Sequence, residues 1–171
     1  MNHLDRFHSA QDSPDAGFDA ALRELQAGRK RGHWIWYILP QLAGLGMSGM
    51  SQRYAIRDAQ EAVAYLQDPV LRDRLLAIAH AIADGLARGV PLATLMGSGL
   101  DAQKTVSSLT LFGEVASRMA RQGDASVAPV AEVAARILDA AERQGYPKCA
   151  FTLRRLGAQP SGGGETGTSS S

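Results

Sequence analysis

Apolar residues recur along this chain at spacings of three and four, and no segment sustains alternation of period two. Phe18, Ala21, Leu22 and Leu25 predict a helix over 15–27, which Gly28 stops. Ala55, Ala59, Ala62, Val63 and Leu66 predict a second over 51–66, with Ser51 as its cap. Asp68-Pro69 restarts the chain: Asp is a good N-cap, and Pro fits a first turn because its missing N–H would be unpaired there anyway. The helix that follows carries Leu71, Leu75, Ile78, Ala79, Ile82 and Leu86, ending near Gly89. Val106, Leu109, Phe112, Val115, Ala116 and Met119 form the inward stripe of another over 101–121. The last runs from a Ser126 cap through Val130, Val133, Ala134, Ile137, Leu138 and Ala141 to Gly145. With a short helix in the aromatic stretch near residue 35, the pattern predicts an all-α domain of about six helices.

At 171 residues the chain suits one domain, over 1–157. From Ala158 the run "AQPSGGGETGTSSS" offers no apolar anchor to offset the entropy of ordering, so 158–171 reads as a disordered tail. A content of 45% hydrophobic and 20% charged residues is that of a globular chain. The 18 Lys+Arg against 17 Asp+Glu create no global field, so nucleic acid is an unfavoured partner and any basic site must be local. The one cysteine, Cys149, excludes an intramolecular disulfide and, flanked by apolar residues in "YPKCAFTL", reads as a packed thiol. The N-terminus lacks the apolar core of a signal peptide, and no run approaches the roughly 18 apolar residues of a membrane helix. The expected location is cytoplasmic, with no membrane partner.

Chemistry concentrates in two stretches. "GRKRGHWIWYILPQLAGLGMS", residues 28–48, joins three basic residues, His33, two tryptophans and Tyr37. A helix there must end by about Leu39, because Pro40 cannot donate to the Trp36 carbonyl. Two readings are open: the aromatics plug the core, or one face stacks on a ligand ring with Lys30 or Arg29 near an anionic group. Gly44, Gly46 and Gly49 do not make a nucleotide fingerprint, which needs a preceding strand or a terminal Lys-Ser/Thr. In "GSGLDAQKTVSSLTLF", a helix from Asp101 lines up Asp101, Lys104, Ser107 and Ser108 opposite Leu109, Phe112 and Ala116. That face is either an anion seat at a helix N-terminus or a capped helix with an ordinary ion pair. The four histidines include no metal-type pair four residues apart, no Ser lies in a Gly-x-Ser-x-Gly elbow, and neither metal nor cofactor is expected.

Taken together, "LDRFHSAQ", "ALRELQAGRKRGHWIWYILPQLAGLGMS", "YAIRDAQEAVAYLQDPVLRDRL" and "GLDAQKTVSSLTLF" resemble the bacterial family catalogued as domain of unknown function 1810, over about residues 4–156. The resemblance implies an all-helical single domain and no established activity. The label "calpastatin" that some members carry does not suit it, since that inhibitor is disordered and this chain is a periodic helical globule. By resemblance, the family's recurrent polar positions match Arg6, Gln11, Lys30, His33, Trp34, Gln41, Lys104, Ser107, Ser108 and Thr110. Two places depart from the family pattern: Leu71-Arg72 stands where Leu-Gly is usual, and "KCAFTL" lacks an Asp usual before Thr-Leu.

Two functions follow as expectations. In the first, Lys30, His33, Lys104, Ser107 and Ser108 converge on an anionic, nucleotide-like small molecule, with Trp34 or Trp36 stacking on it and Trp34 and Gln41 among the ligand-binding residues. His33 is then the candidate acid/base, because an imidazole exchanges protons near neutral pH. Arg6, Gln11, Asp101 and Thr110 support the site. In the second, the chain is a non-enzymatic protein-interaction or structural helical module, and the polar runs are caps and inter-helix hydrogen bonds.

Overall fold

The computed structural model describes residues 3–157; the expected tail over 158–171 lies outside the described residues. It is all-helical, and the helices are α1 (Asp5–Gln11), α2 (Phe18–Gln26), α3 (Ile35–Ile38), α4 (Gly49–Tyr54), α5 (Ala59–Gln67), α6 (Pro69–Ala87), α7 (Leu92–Leu95), α8 (Gly99–Arg121), α9 (Ala128–Arg143) and α10 (Ala150–Arg155). A single 3₁₀ turn, Ala125–Val127, leads into α9. There are thus ten helices among the described residues rather than about six.

The additional helices are short. α1, α7 and α10 span 4–7 residues, too few for apolar periodicity to register. The predicted 51–66 helix is two: Ser48, not Ser51, caps α4, Asp58 caps α5, and between them Ala55 is extended. The break has a cause. Ile56 donates its N–H to the Gln41 carbonyl and accepts from Ala43 N–H, both at 2.8 Å, an isolated parallel bridge that takes this backbone out of the helix. Likewise Gly17 rather than Asp15 precedes α2, and Asp124, not Ser126, caps the turn before α9.

Helix α6 begins as its sequence dictates. Asp68 Oδ1 accepts from Val70 N–H at 3.0 Å and Leu71 N–H at 3.1 Å, with Pro69 at the first helical position. α3 ends at Ile38, before Pro40.

α8 is the central helix, packed by α9, α5, α7, α10 and α3, while α6 lies against α9, α2 and α5. Phe7, Tyr65 and Phe112 stack through the middle, with ring centroids 5.2 and 4.8 Å apart. All three rings are fully buried, each worth about 1.5–3 kcal/mol or more of burial. This central position of α8 puts Asp101 and Lys104, in its first two turns, against the 28–36 loop.

Candidate functional site

Two loops meet at the start of α8. Ser98 caps the helix, its hydroxyl accepting from Asp101 N–H at 3.1 Å. The preceding turn carries Gly97 at φ +84, and a Cβ there would stand 2.9 Å from the Lys30 carbonyl oxygen. Only a glycine lets the two backbones come so close. Lys30 N–H donates to Leu95 O at 2.7 Å, closing the junction.

This junction brings both motif lysines to one carboxylate. Lys30 Nζ is 2.8 Å from Asp101 Oδ2, and Lys104 Nζ is 3.4 Å from Asp101 Oδ1. Lys30 is buried, also donates to the Gly32 carbonyl, and lies 5.1 Å from the Trp34 ring centre. Lys104 sits 3.9 Å over the Trp36 ring. Asp101 thus neutralises one buried ammonium and orients a second that sits on an aromatic face.

The two tryptophans divide between core and surface. Trp34 is 1% exposed, and its indole N–H donates to Glu24 Oε1 at 3.1 Å. Its expected place at a ligand is therefore corrected: a ring enclosed by packing has no face to offer. Trp36 is half-buried and borders a cavity of about 150 Å³, whose wall also includes Gln41, Gly44, Ser51, Gln52 and Tyr54. Gly46 belongs to the same wall, and a Cβ on it would run into Ser51. His33, between Gly32 and Trp34, is exposed and its ring has no hydrogen-bond partner among the described residues.

The serines expected on the Lys104 face do not join it. Ser108 is fully buried, with a hydroxyl that reaches no hydrogen-bond partner. Ser107, also buried, borders a different cavity beside Cys149. The physical reason is the position of α8: neighbours surround it, so an amphipathic pattern does not give it a wet face. Thr110 Oγ1 donates back to Val106 O at 2.7 Å and accepts from Cys149 N–H at 3.2 Å, anchoring α10.

The sequence profile of the family described as "Protein of unknown function (DUF1810)" matches residues 1–126. The chain belongs to the DUF1810 family. The match spans α1 to α8 and so includes Lys30, Trp36, Asp101 and Lys104 of this DUF1810 chain. The fold is similar to the crystal structure of the conserved hypothetical protein Rv1873 from Mycobacterium tuberculosis. The two share 35% identity with a TM-score of 0.71, over 91% of this chain and 97% of that one. No curated protein matches.

Arg6 and Gln11 tie α1 of the DUF1810 fold down. Arg6 donates to Ala55 O at 2.8 Å and pairs with the buried Glu61, which also takes Arg57 Nε at 2.9 Å. Gln11 Nε2 donates to Tyr37 O at 2.8 Å and to Tyr65 Oη at 3.0 Å.

One contributor gave no sequence signal. Glu24, on the polar side of α2, accepts from Gly32 N–H at 2.7 Å and Arg31 N–H at 2.5 Å as well as from Trp34. Burial pushes its carboxyl up, but these bonds and the Lys30 charge outweigh it and hold Glu24 below the usual carboxylate range. Glu24 shapes the loop that carries Lys30.

Among the described residues no group of three or more His, Cys, Asp or Glu could hold a metal ion, and no helix is long and apolar enough to cross a membrane.

Proposed function

We propose that the protein binds a small anionic molecule bearing a planar or sugar ring, of nucleotide-like chemistry, at the Trp36 face. The observation that carries this reading is the double role of one ring. Trp36 lies 3.9 Å beneath an ammonium and also walls a cavity whose polar side chains include the uncharged Gln41, Ser51 and Gln52. A ring stacked on Trp36 would find amide and hydroxyl partners in the cavity. Its anionic group would meet Lys104, which Asp101 already holds in place. Lys30, engaged by Asp101 and Gly32 O, supports this arrangement from behind rather than from the ligand side. His33 is exposed and lies three residues before Trp36, which is its remaining claim to an acid/base role. The inward turn of Lys30 breaks the run Arg29-Lys30-Arg31 as a basic stripe, which weighs against nucleic acid.

The test is a thermal-shift screen with nucleotides, nucleotide sugars and phosphorylated metabolites on wild type, Lys104→Ala and Gln41→Ala. A ligand at a hundred times its Kd stabilises by about 2.7 kcal/mol, which raises Tm by several degrees in a chain of this size. Both variants are expected to lose that rise. A flat response of the wild type throughout the panel refutes the reading.

The second reading is a protein-interaction module, for which the exposed Met47 and Leu100, at 89% and 63% exposure, are the apolar side chains to test. It predicts self-association or partner binding that Met47→Ser and Leu100→Ser abolish, measured by light scattering on the purified chain and on its mixtures.

A further inference from the structure

Among the described residues the wall of the Trp36 cavity holds no Asp or Glu, so its field is set by charged groups just outside it. Lys104, over the Trp36 ring, is one of them. A second comes from α10. Gly44, a wall residue, has φ +102, and a Cβ on it would stand 2.9 Å from Phe151 Cζ and 3.7 Å from Arg155 Nη2. A glycine here is what lets the 41–46 loop lie directly against α10. Two bonds to α8 fix that helix at both ends. Cys149 N–H donates to Thr110 Oγ1 at 3.2 Å, and Arg118 Nη2 donates to Leu156 O at 2.8 Å. Phe151 is half-buried against the core, and the Arg155 guanidinium lies 5.3 Å from its ring centre. Arg155 is thus held beside the cavity wall on an aromatic ring, as Lys104 is.

The two cations differ in what opposes them. Lys30 and Lys104 share Asp101, so two ammonium groups against one carboxylate leave a single positive charge on the Trp36 side. Arg155 is exposed and pairs with no carboxylate among the described residues, so its charge is unopposed. An uncharged wall between two separate cations suits a ligand with two anionic groups better than a ligand with one. We infer that Arg155 binds a second anionic group, so that the Trp36 site selects ligands of the nucleoside diphosphate kind over monophosphates. The inference rests on the reading of the Trp36 face as a nucleotide-like site and names the class it takes. Lys104 meets one phosphate at the Trp36 edge. Arg155 meets the other from the Gly44 side, where its planar fork can offer two parallel N–H···O bonds. α10 lies beyond the residues 1–126 matched to the family, so this selectivity belongs to the part of the chain outside that match.

The experiment titrates the full-length protein by calorimetry with the mono- and diphosphates of adenosine, guanosine and uridine. The wild type is expected to bind at least one diphosphate about tenfold tighter than the matching monophosphate, the scale of one charged hydrogen-bonded contact. Arg155→Gln, at an exposed position, is expected to bring the diphosphate down to the affinity of the monophosphate with an unchanged circular dichroism spectrum. Arg155→Lys should restore part of the preference. Arg154→Gln removes the same charge from the neighbouring exposed position and is expected to keep the preference, which separates a placed contact from a general loss of charge. Equal wild-type affinities within each pair, or a preference that survives Arg155→Gln, overturns the inference, while binding lost in Gln41→Ala and Lys104→Ala still upholds the site. Binding of none of these probes overturns it as well, and the wider thermal-shift panel then decides the site reading by itself.

Discussion

Asp101 is the residue on which the Lys30–Lys104 junction depends, and Asp101→Asn measures how much. The substitution keeps size and one carbonyl oxygen but removes the charge shared by two ammonium groups. Their losses are unequal. Lys30 has a side chain only 7% exposed, so it becomes a buried charge held by the Gly32 carbonyl and the Trp34 face alone. Removing one partner of a buried ion pair costs about 3–5 kcal/mol, and the remaining Gly32 bond together with the Asn oxygen reduces this to about 2–4 kcal/mol. Lys104, with a side chain 17% exposed and the Trp36 ring as second partner, adds no more than about 1 kcal/mol. The total lowers Tm by roughly 4–20 °C for a chain of this size.

Lys30→Met separates the contributions, since it leaves Asp101 paired with Lys104 and is expected to cost less than Asp101→Asn. In the Asp101→Asn background the same change removes the stranded charge and recovers about 1–3 kcal/mol, a coupling read from a double-mutant cycle. Urea unfolding followed by circular dichroism supplies all four stabilities, with the slope checked for constancy. A cost below about 0.5 kcal/mol for Asp101→Asn would refute the argument, because that is the scale of an ordinary solvated surface change.

Gly97→Ala is expected to destabilise by about 1–3 kcal/mol, combining a left-handed backbone at φ +84 with a clash against the Lys30 carbonyl; Gly89→Ala, at φ +87 in open space, pays only the backbone term, and equal urea midpoints for the two variants would remove the close approach from the argument. Asp68 and Glu24 both titrate lower in the fold than in the unfolded chain. For Asp68, burial opposes this and is outweighed by the Leu71 amide, His8 and the Val70 amide. Their stabilisation is complete above the unfolded carboxylate values and is lost as pH falls through the folded ones, so urea midpoints should decline with acid across that window. Asp68→Asn, which retains a capping oxygen, should remove part of the decline, and an unchanged acid slope counts against the assignment.

The limits of sequence reading here are physical and lie in α8 and the segments that touch it. Its stripe of Val106, Leu109, Phe112, Val115, Ala116 and Met119 is buried as the periodicity requires. What periodicity could not supply was the number of neighbours. A helix packed on one side keeps a polar face for water, but one surrounded by α9, α5, α7, α10 and α3 buries that face too. Small hydroxyl side chains are buried there too: Thr105 bonds back to Asp101 O at 2.8 Å and Thr110 to Val106 O at 2.7 Å, while the Ser108 hydroxyl is enclosed with no partner. Runs of Ser and Thr are therefore weak evidence of a wet surface, and Ser107 and Ser108 were legible as polar but not as interior. Lysine differs, because an ammonium must be paired or solvated wherever it lies. That requirement is why Lys30 and Lys104, about seventy residues apart, could be read as belonging to one place, with Asp101 as the partner of Lys104, although the pairing of Lys30 with the same carboxylate and the inward turn of Trp34 onto Glu24 could not. The short helices follow the same logic: α4 and α5 divide because Ile56 bonds to the 41–43 backbone, a long-range pairing with no local signature. Residues whose burial has one remedy betray their partners in sequence, and residues that satisfy themselves locally do not.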